Sequence, residues 1–154
     1  MEEITIRQIK YGTEQYKESF ELRNSVLGIP FGLNLYELDM SCDKEGVLIC
    51  AFNGSKIVGT IVLLSVDKDT AKMRQVAVTP ILQGQKIGAR MAQYAEEIAR
   101  EQGYKRIEAA ARKTAAGFYD KLGYKREGEE FTQVGLTHIK VVKAVDGLAG
   151  TYGS

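Results

Sequence analysis

Residues 76–91 read Val-Ala-Val-Thr-Pro-Ile-Leu-Gln-Gly-Gln-Lys-Ile-Gly-Ala-Arg-Met, and this stretch decides the fold. An apolar strand end at Val76, Ala77 and Val78 runs through a turn marked by Pro80 into a glycine-bearing helix start. At such a start several backbone N–H groups have no partner within the helix, and the helix dipole adds partial positive charge, so a phosphate can settle there. The loop Gln83, Gly84, Gln85, Lys86, Ile87, Gly88, Ala89 therefore reads as a cradle for a pyrophosphate. Alone, a glycine at a helix start marks nothing more than a tight turn. Two nucleotide-binding alternatives are excluded, because the chain has no GxxxxGK[ST] run and no GxGxxG followed by an acidic residue about 20 positions later.

A second segment narrows the choice. Ala115-Ala116-Gly117-Phe118-Tyr119-Asp120-Lys121-Leu122-Gly123-Tyr124 is a short helix with an aromatic pair, stopped by Gly123 and followed by a strand. Taken in order, the two segments resemble the GNAT superfamily of acetyl-coenzyme A dependent N-acetyltransferases. The cofactor signature of that family, Gln or Arg, two residues, Gly, one residue, then Gly or Ala, maps onto Gln83 to Gly88. Lys86 stands where the first signature glycine is expected. An ordinary helical φ at residue 86 would let its N–H face the phosphate and would set a side chain beside the cofactor. The downstream AxxFYxxxGY pattern matches, with Arg112 where many members carry Asn. The resemblance covers residues 4–144 and is strongest over residues 73–124. It implies an α/β (α+β) acyltransferase fold: a central mixed, mostly antiparallel sheet of about seven strands, flanked by about four helices, with one splayed parallel pair.

Composition agrees with one such domain. The chain has 154 residues and 44% hydrophobic content, enough for a single core and too short for two, so one domain is expected over residues 1–145. A formal charge of +1 argues against a dedicated nucleic-acid surface. No apolar run reaches the length of a membrane span and the start MEEITIRQIK lacks a signal-peptide pattern, so a soluble cytoplasmic protein is expected. Cys42 and Cys50, without a CxxC pair or clustered His, read as reduced buried thiols and not as a metal site. The tail of residues 146–154, rich in glycine and small residues, is expected to be disordered.

Periodicity supplies the elements. Residues 4–9 alternate as a half-buried strand, and residues 13–27 place Tyr16, Phe20 and Leu27 near helical spacing behind an N-cap at Thr13. Arg23 falls on that stripe and is expected to pair with a carboxylate at the helix edge. Residues 28–41 suggest a loop and a short second helix, a segment that the resemblance implies shapes the acceptor pocket. Residues 47–52 and 56–66, joined at Asn53-Gly54, form the clearest hairpin, with a type I′ turn. A further turn at Asp67-Lys68-Asp69 leads to a strand over residues 71–78. A helix over residues 83–102 aligns Ile87, Met91, Ala95 and Ile98 and stops at Gly103. Residues 105–111 form a strand reached by crossover, hence parallel to that of residues 71–78. After a helix over residues 114–122, residues 124–131 and 136–144 close the sheet.

The resemblance also implies a chemistry. Backbone atoms at Val76, Ala77 and Val78 would pair with the amides of the pantetheine arm, and a nearby N–H would polarise the thioester carbonyl. The pyrophosphate would rest on residues 83–89, with Lys86 and Arg90 as its charged contacts. Tyr119 is the candidate acid for the departing coenzyme A thiolate, with Phe118 as its inward-pointing packing partner. A lysine-like amine is neutral only about once in 2,500 molecules at pH 7, so the attacking group needs a base or a water chain. His138, in Val134-Gly135-Leu136-Thr137-His138, is the candidate, since imidazole accepts protons near neutrality. Glu129 and Glu130 are its rivals, and Gln75 cannot act as a base. Between Arg112 and Arg126 five cations face one acid, a local excess of +4 that suits a polyphosphorylated ligand. The expected activity is transfer of acetyl from acetyl-CoA, as co-substrate and without a metal, to a primary amine of a small molecule or peptide. The alternative is a non-catalytic acetyl-CoA sensor. A homodimer is the oligomer the resemblance admits, and neither nucleic acid nor membrane is an expected partner.

Overall fold

A computed structural model describes residues 3–147. Its strands are β1 (Ile4–Ile9), β2 (Val47–Asn53), β3 (Lys56–Ser65), β4 (Thr70–Val78), β5 (Arg106–Arg112), β6 (Lys125–Gln133) and β7 (Leu136–Ala144), and its helices are α1 (Glu14–Arg23), α2 (Ile87–Glu101) and α3 (Ala116–Lys121). The strands form one mixed sheet in the order β1-β2-β3-β4-β5-β7-β6. The β4–β5 ladder is parallel, through Thr70 with Arg106, Ala71 with Ile107 and Lys72 with Glu108. Residues 148–154, most of the expected tail, lie outside the described residues.

The chain divides into two compact units. The first comprises residues up to 64 together with 73–95. Its antiparallel strands β1, β2 and β3 enclose Ile9, Leu48, Cys50, Phe52, Ile57 and Val62, against which Tyr16, Leu22 and Leu64 pack. Thr13 caps α1, its hydroxyl accepting the Tyr16 N–H at 3.2 Å. At Gly59 on β3 an added Cβ would lie 2.7 Å from Met91 Cε, so α2 approaches this strand closely only because residue 59 has no side chain. The second unit comprises residues 65–72 and those from 96 onward. Here β7 pairs antiparallel with both β5 and β6. The alternating burial of β5 turns Ile107, Ala109 and Ala111 inward.

Four expectations change. The second helix over residues 28–41 is replaced by 3₁₀ turns at Ile29–Phe31, Leu35–Glu37 and Ser41–Glu45, which leaves three α-helices among the described residues instead of four. Pro30, the left-handed Gly32 (φ 74°) and the Asn34 cap interrupt the segment before a helix can nucleate. The first hairpin turns on Gly54 and Ser55, closed by Asn53 opposite Lys56, with positive φ at Gly54 alone. That is the φ pattern of type II′, not I′. Arg23 pairs in the interior and not at the helix edge: it is fully buried, Nη1 donating to Asp43 Oδ2 at 2.7 Å, with the Tyr16 and Phe20 rings 5.7 and 5.4 Å from its guanidinium carbon. Cys50 is buried as expected, but Cys42 is only half-buried, its sulfur 3.1 Å from Arg74 Nη1.

Burial pushes the Cys50 thiol up to about 12, so it stays a protonated, unreactive thiol at neutral pH. One thiol, Cys42, should therefore react with a disulfide reagent in the native protein and two in denaturant. Two native equivalents would refute the enclosed position of Cys50.

Candidate active site

In the first unit, β4 delivers the chain to the loop ahead of α2. Gln75 adopts φ 56°, a left-handed residue inside a strand that breaks the alternation one position before Val76. Beyond the strand, the Thr79 N–H bonds to the Val58 carbonyl at 2.8 Å and Pro80–Leu82 makes a 3₁₀ turn. The Gln83 side chain then donates to the Val78 carbonyl at 2.9 Å, tying the loop back to the strand end. Gln83, Gly84, Gln85 and Lys86 are exposed, whereas Ile87 and Gly88 are buried.

The helix begins at Ile87 and not at Gln83, and the expected helical φ at Lys86 is not found. Gly84 has φ 86° and Lys86 φ 64°, both left-handed and incompatible with a continuing right-handed helix. The first N–H captured by the helix is that of Arg90, which reaches the Lys86 carbonyl at 3.0 Å. Among the described residues, the N–H groups of residues 84–89 have no protein acceptor. The Arg90 guanidinium lies on the Ile4 carbonyl at 3.1 Å, so it tethers β1 to α2.

In the second unit, α3 carries Tyr119. Tyr119, not Phe118, is the inward member of the aromatic pair: it is 5% exposed, while Phe118 is half-buried with its ring 5.1 Å away, edge-on. Burial alone raises the Tyr119 pKa far above its ordinary value, which keeps the phenol a proton donor through the neutral range. His138 on β7 lies opposite Arg112, the last residue of β5, and opposite Phe131 of β6. Its ring stacks on Phe131 at 5.7 Å and 23°, and Nδ1 lies 2.9 Å from the Leu136 carbonyl. A carbonyl only accepts, so in this contact Nδ1 carries a proton, and in the neutral imidazole Nε2 is then the acceptor. Both Tyr119 and His138 thus sit in the second unit, on elements joined to the C-terminal end of β5.

The rival carboxylates Glu129 and Glu130 are exposed, and Glu130 is held by Lys113 at 3.3 Å. Arg126 of the basic segment is taken up by Asp120 at 2.7 Å. The left-handed φ of Gln75 and the burial of Glu96 are not among the sequence-based expectations. Gln75 gives no local signal of its strained φ. Glu96 does: it occupies a helix stripe with Ala92 and Ala99, where a carboxylate must be buried and partnered.

Residues 13–124 match the Acetyltransferase (GNAT) family, and the chain belongs to it. A Bacillus subtilis (strain 168) protein named provisionally as an acetyltransferase is 29% identical over 133 residues, 83% of this chain and 88% of the relative. Among solved structures, a GNAT family acetyltransferase from Elizabethkingia anophelis with acetyl-CoA bound superposes with a TM-score of 0.71 at 22% identity, covering 92% of this chain and 97% of that one. An aminoglycoside 6'-N-acetyltransferase complexed with coenzyme A gives 0.76 at 16% identity, covering 92% and 97%. Both likenesses establish the fold. Among the described residues no cluster of three or more metal-ligating side chains occurs, and no helix is long and apolar enough to cross a membrane.

A side chain in the left-handed region costs about 1 kcal/mol or more relative to glycine. Lys86→Gly should accordingly stabilise the protein by about that amount in urea unfolding, while Lys86→Gln, which keeps the strain, should not. Equal stability of the two variants would show that residue 86 is not left-handed in solution.

Proposed function

We propose that this chain is an N-acetyltransferase that moves acetyl from acetyl-CoA to a primary amine of a small molecule or peptide, using one catalytic domain over residues 1–145. The observation that carries this is the row of unclaimed N–H groups from Gly84 to Ala89 ahead of α2, in a chain of the GNAT family. These donors suit a diphosphate, with Gln83, Gln85, Lys86 and Ile87 shaping the loop and Gly88 and Ala89 leading into the helix. The backbone of Val76, Ala77 and Val78, beyond the kink at Gln75, is assigned to the amides of the pantetheine arm. Arg90, engaged with Ile4, is assigned a secondary electrostatic part.

Acetyl-CoA supplies an activated thioester carbonyl. His138 Nε2 takes a proton from the ammonium or from the attacking amine, directly or through water. The amine attacks the thioester carbonyl carbon, forming the C–N bond and a tetrahedral intermediate; collapse of that intermediate breaks the C–S bond, and the electron pair leaves on sulfur. Tyr119 gives its phenolic proton to that sulfur, a role supported by its buried, protonated state.

Tyr119→Phe should lower kcat about 100-fold, within the usual range for loss of a general acid, with KM for acetyl-CoA unchanged. Activity within twofold of wild type would remove Tyr119 from the reaction. His138→Gln should abolish the acid limb of the pH profile of kcat/KM. An unaltered limb in the variant would assign the base elsewhere. Raised thermal stability with acetyl-CoA, but no amine-dependent thiol release across a panel of amines and peptides, would leave an acetyl-CoA sensor.

A further inference from the structure

α3 cannot hold Tyr119 by itself. It has six residues and no side-chain cap at its N-terminus, well short of the length at which a helix is stable alone. What fixes it lies at its other end. Lys143 of β7 donates through Nζ to the Leu122 carbonyl at 2.8 Å, closing the C-terminus of α3, and also to Glu96 Oε1 at 3.0 Å. The other oxygen of Glu96 accepts the Tyr124 hydroxyl at 2.9 Å. The Tyr124 N–H returns to the Tyr119 carbonyl at 3.0 Å, and its ring meets the Tyr119 ring edge-on at 5.6 Å. Lys143 Nζ also lies 5.6 Å from the centre of the Tyr124 ring.

Glu96 is 4% exposed and both of its oxygens are engaged, so the ion pair is a completed network and not a stray buried charge. Apolar residues of equal volume would fill the space at least as stably. An ion pair, unlike an apolar filling, fixes direction: it pins the Tyr124 phenol at one end and the Leu122 carbonyl, at the C-cap of α3, at the other. We propose that Lys143, Glu96 and Tyr124 are positioning residues that set the orientation of the Tyr119 hydroxyl for proton donation. This rests on the assignment of Tyr119 as the acid. The network also explains how a helix of six residues carries a group that must be aimed at one sulfur atom.

The test is a double-mutant cycle joined to a spectroscopic readout. Lys143→Met keeps the length of the stem and removes the charge; Glu96→Gln keeps an acceptor for Tyr124 and serves as the milder variant if Lys143→Met melts early. Each is measured in wild-type and Tyr119→Phe backgrounds. In wild type, Lys143→Met should lower kcat about 10-fold with KM for acetyl-CoA within twofold, and Lys143→Arg should restore most of the loss. In the Tyr119→Phe background neither Lys143→Met nor Glu96→Gln should cost anything further. With fluorotyrosine incorporated throughout, the ¹⁹F resonance missing from Tyr119→Phe should shift or broaden in Lys143→Met while those of Tyr11 and Tyr36 stay put. A kcat loss of equal size in both backgrounds, or an unmoved Tyr119 resonance in a folded Lys143→Met, overturns the inference and leaves the acid assignment intact. A silent Tyr119→Phe overturns both.

Discussion

A right-handed helix cannot absorb a left-handed residue, and two of them, Gly84 and Lys86, stand immediately ahead of α2. Their φ values delay the helix to Ile87 and leave the amides of residues 84–89 without an acceptor among the described residues. Everything assigned to the cofactor end follows from that delay. Had the helix begun at Gln83, its own carbonyls would have claimed the N–H groups of residues 87–89, and a polyanion would have found only the last unpaired turn. At residue 84 the left-handed state is free of steric cost because the residue is glycine. At residue 86 the chain keeps lysine in spite of the strain, so the fold is over-determined there by its surroundings: Ile87 and Gly88 buried on one side, and the Gln83 side chain tied to the Val78 carbonyl on the other.

Two buried ion pairs show what satisfaction of polar groups accomplishes. Arg23 and Asp43 meet at 2.7 Å in the first unit, with the Tyr16 hydroxyl on the same carboxylate oxygen. Among the described residues Arg23 Nε and Nη2 and Asp43 Oδ1 find no hydrogen-bond partner, unlike the two atoms that meet at 2.7 Å. What the pair supplies is a fixed link between α1 and the 3₁₀ turn of Ser41–Glu45, across a segment that builds no helix of its own. Glu96 and Lys143 differ in kind, because each carboxylate oxygen has its own donor and the amine also serves a carbonyl. A complete network of this sort restricts geometry more tightly than a hydrophobic contact, since hydrogen bonds weaken steeply with misalignment.

The sequence revealed the elements that depend on local pattern. Alternation in β1, the stripe of Ile87, Met91, Ala95 and Ile98 in α2, the crossover that makes β5 parallel to β4, and the Thr13 cap are all properties of nearest neighbours along the chain. It misled where tertiary contacts decide. Asn53-Gly54 is a strong I′ signal, yet pairing of Asn53 with Lys56 moved the turn forward by one residue. The I′ φ pattern falls instead on Val134 (φ 46°) and Gly135 (φ 76°), where a β-branched residue gives no warning of it. Phe118 and Tyr119 could not be ranked by spacing, because a helix of six residues is too short for periodicity to choose a face. The glycine-bearing loop ahead of α2 was legible in its position and not in its backbone geometry, which a glycine count cannot supply once lysine occupies a left-handed site.

Burial does two different things to the candidate acid and base. For Tyr119 it removes the solvation a phenolate would need, so the proton stays on oxygen until a developing thiolate offers a better reason to release it. For His138 the controlling influence is a single carbonyl, that of Leu136, two residues away on the same strand, which selects the tautomer and leaves Nε2 as the acceptor. The candidate acid therefore owes its state to burial, whereas the candidate base owes its tautomer to one strand end. In the proposed site a phenol whose proton is held by desolvation still has to be aimed, and Lys143 of β7, Glu96 and Tyr124 supply directional contacts at the C-terminal end of α3.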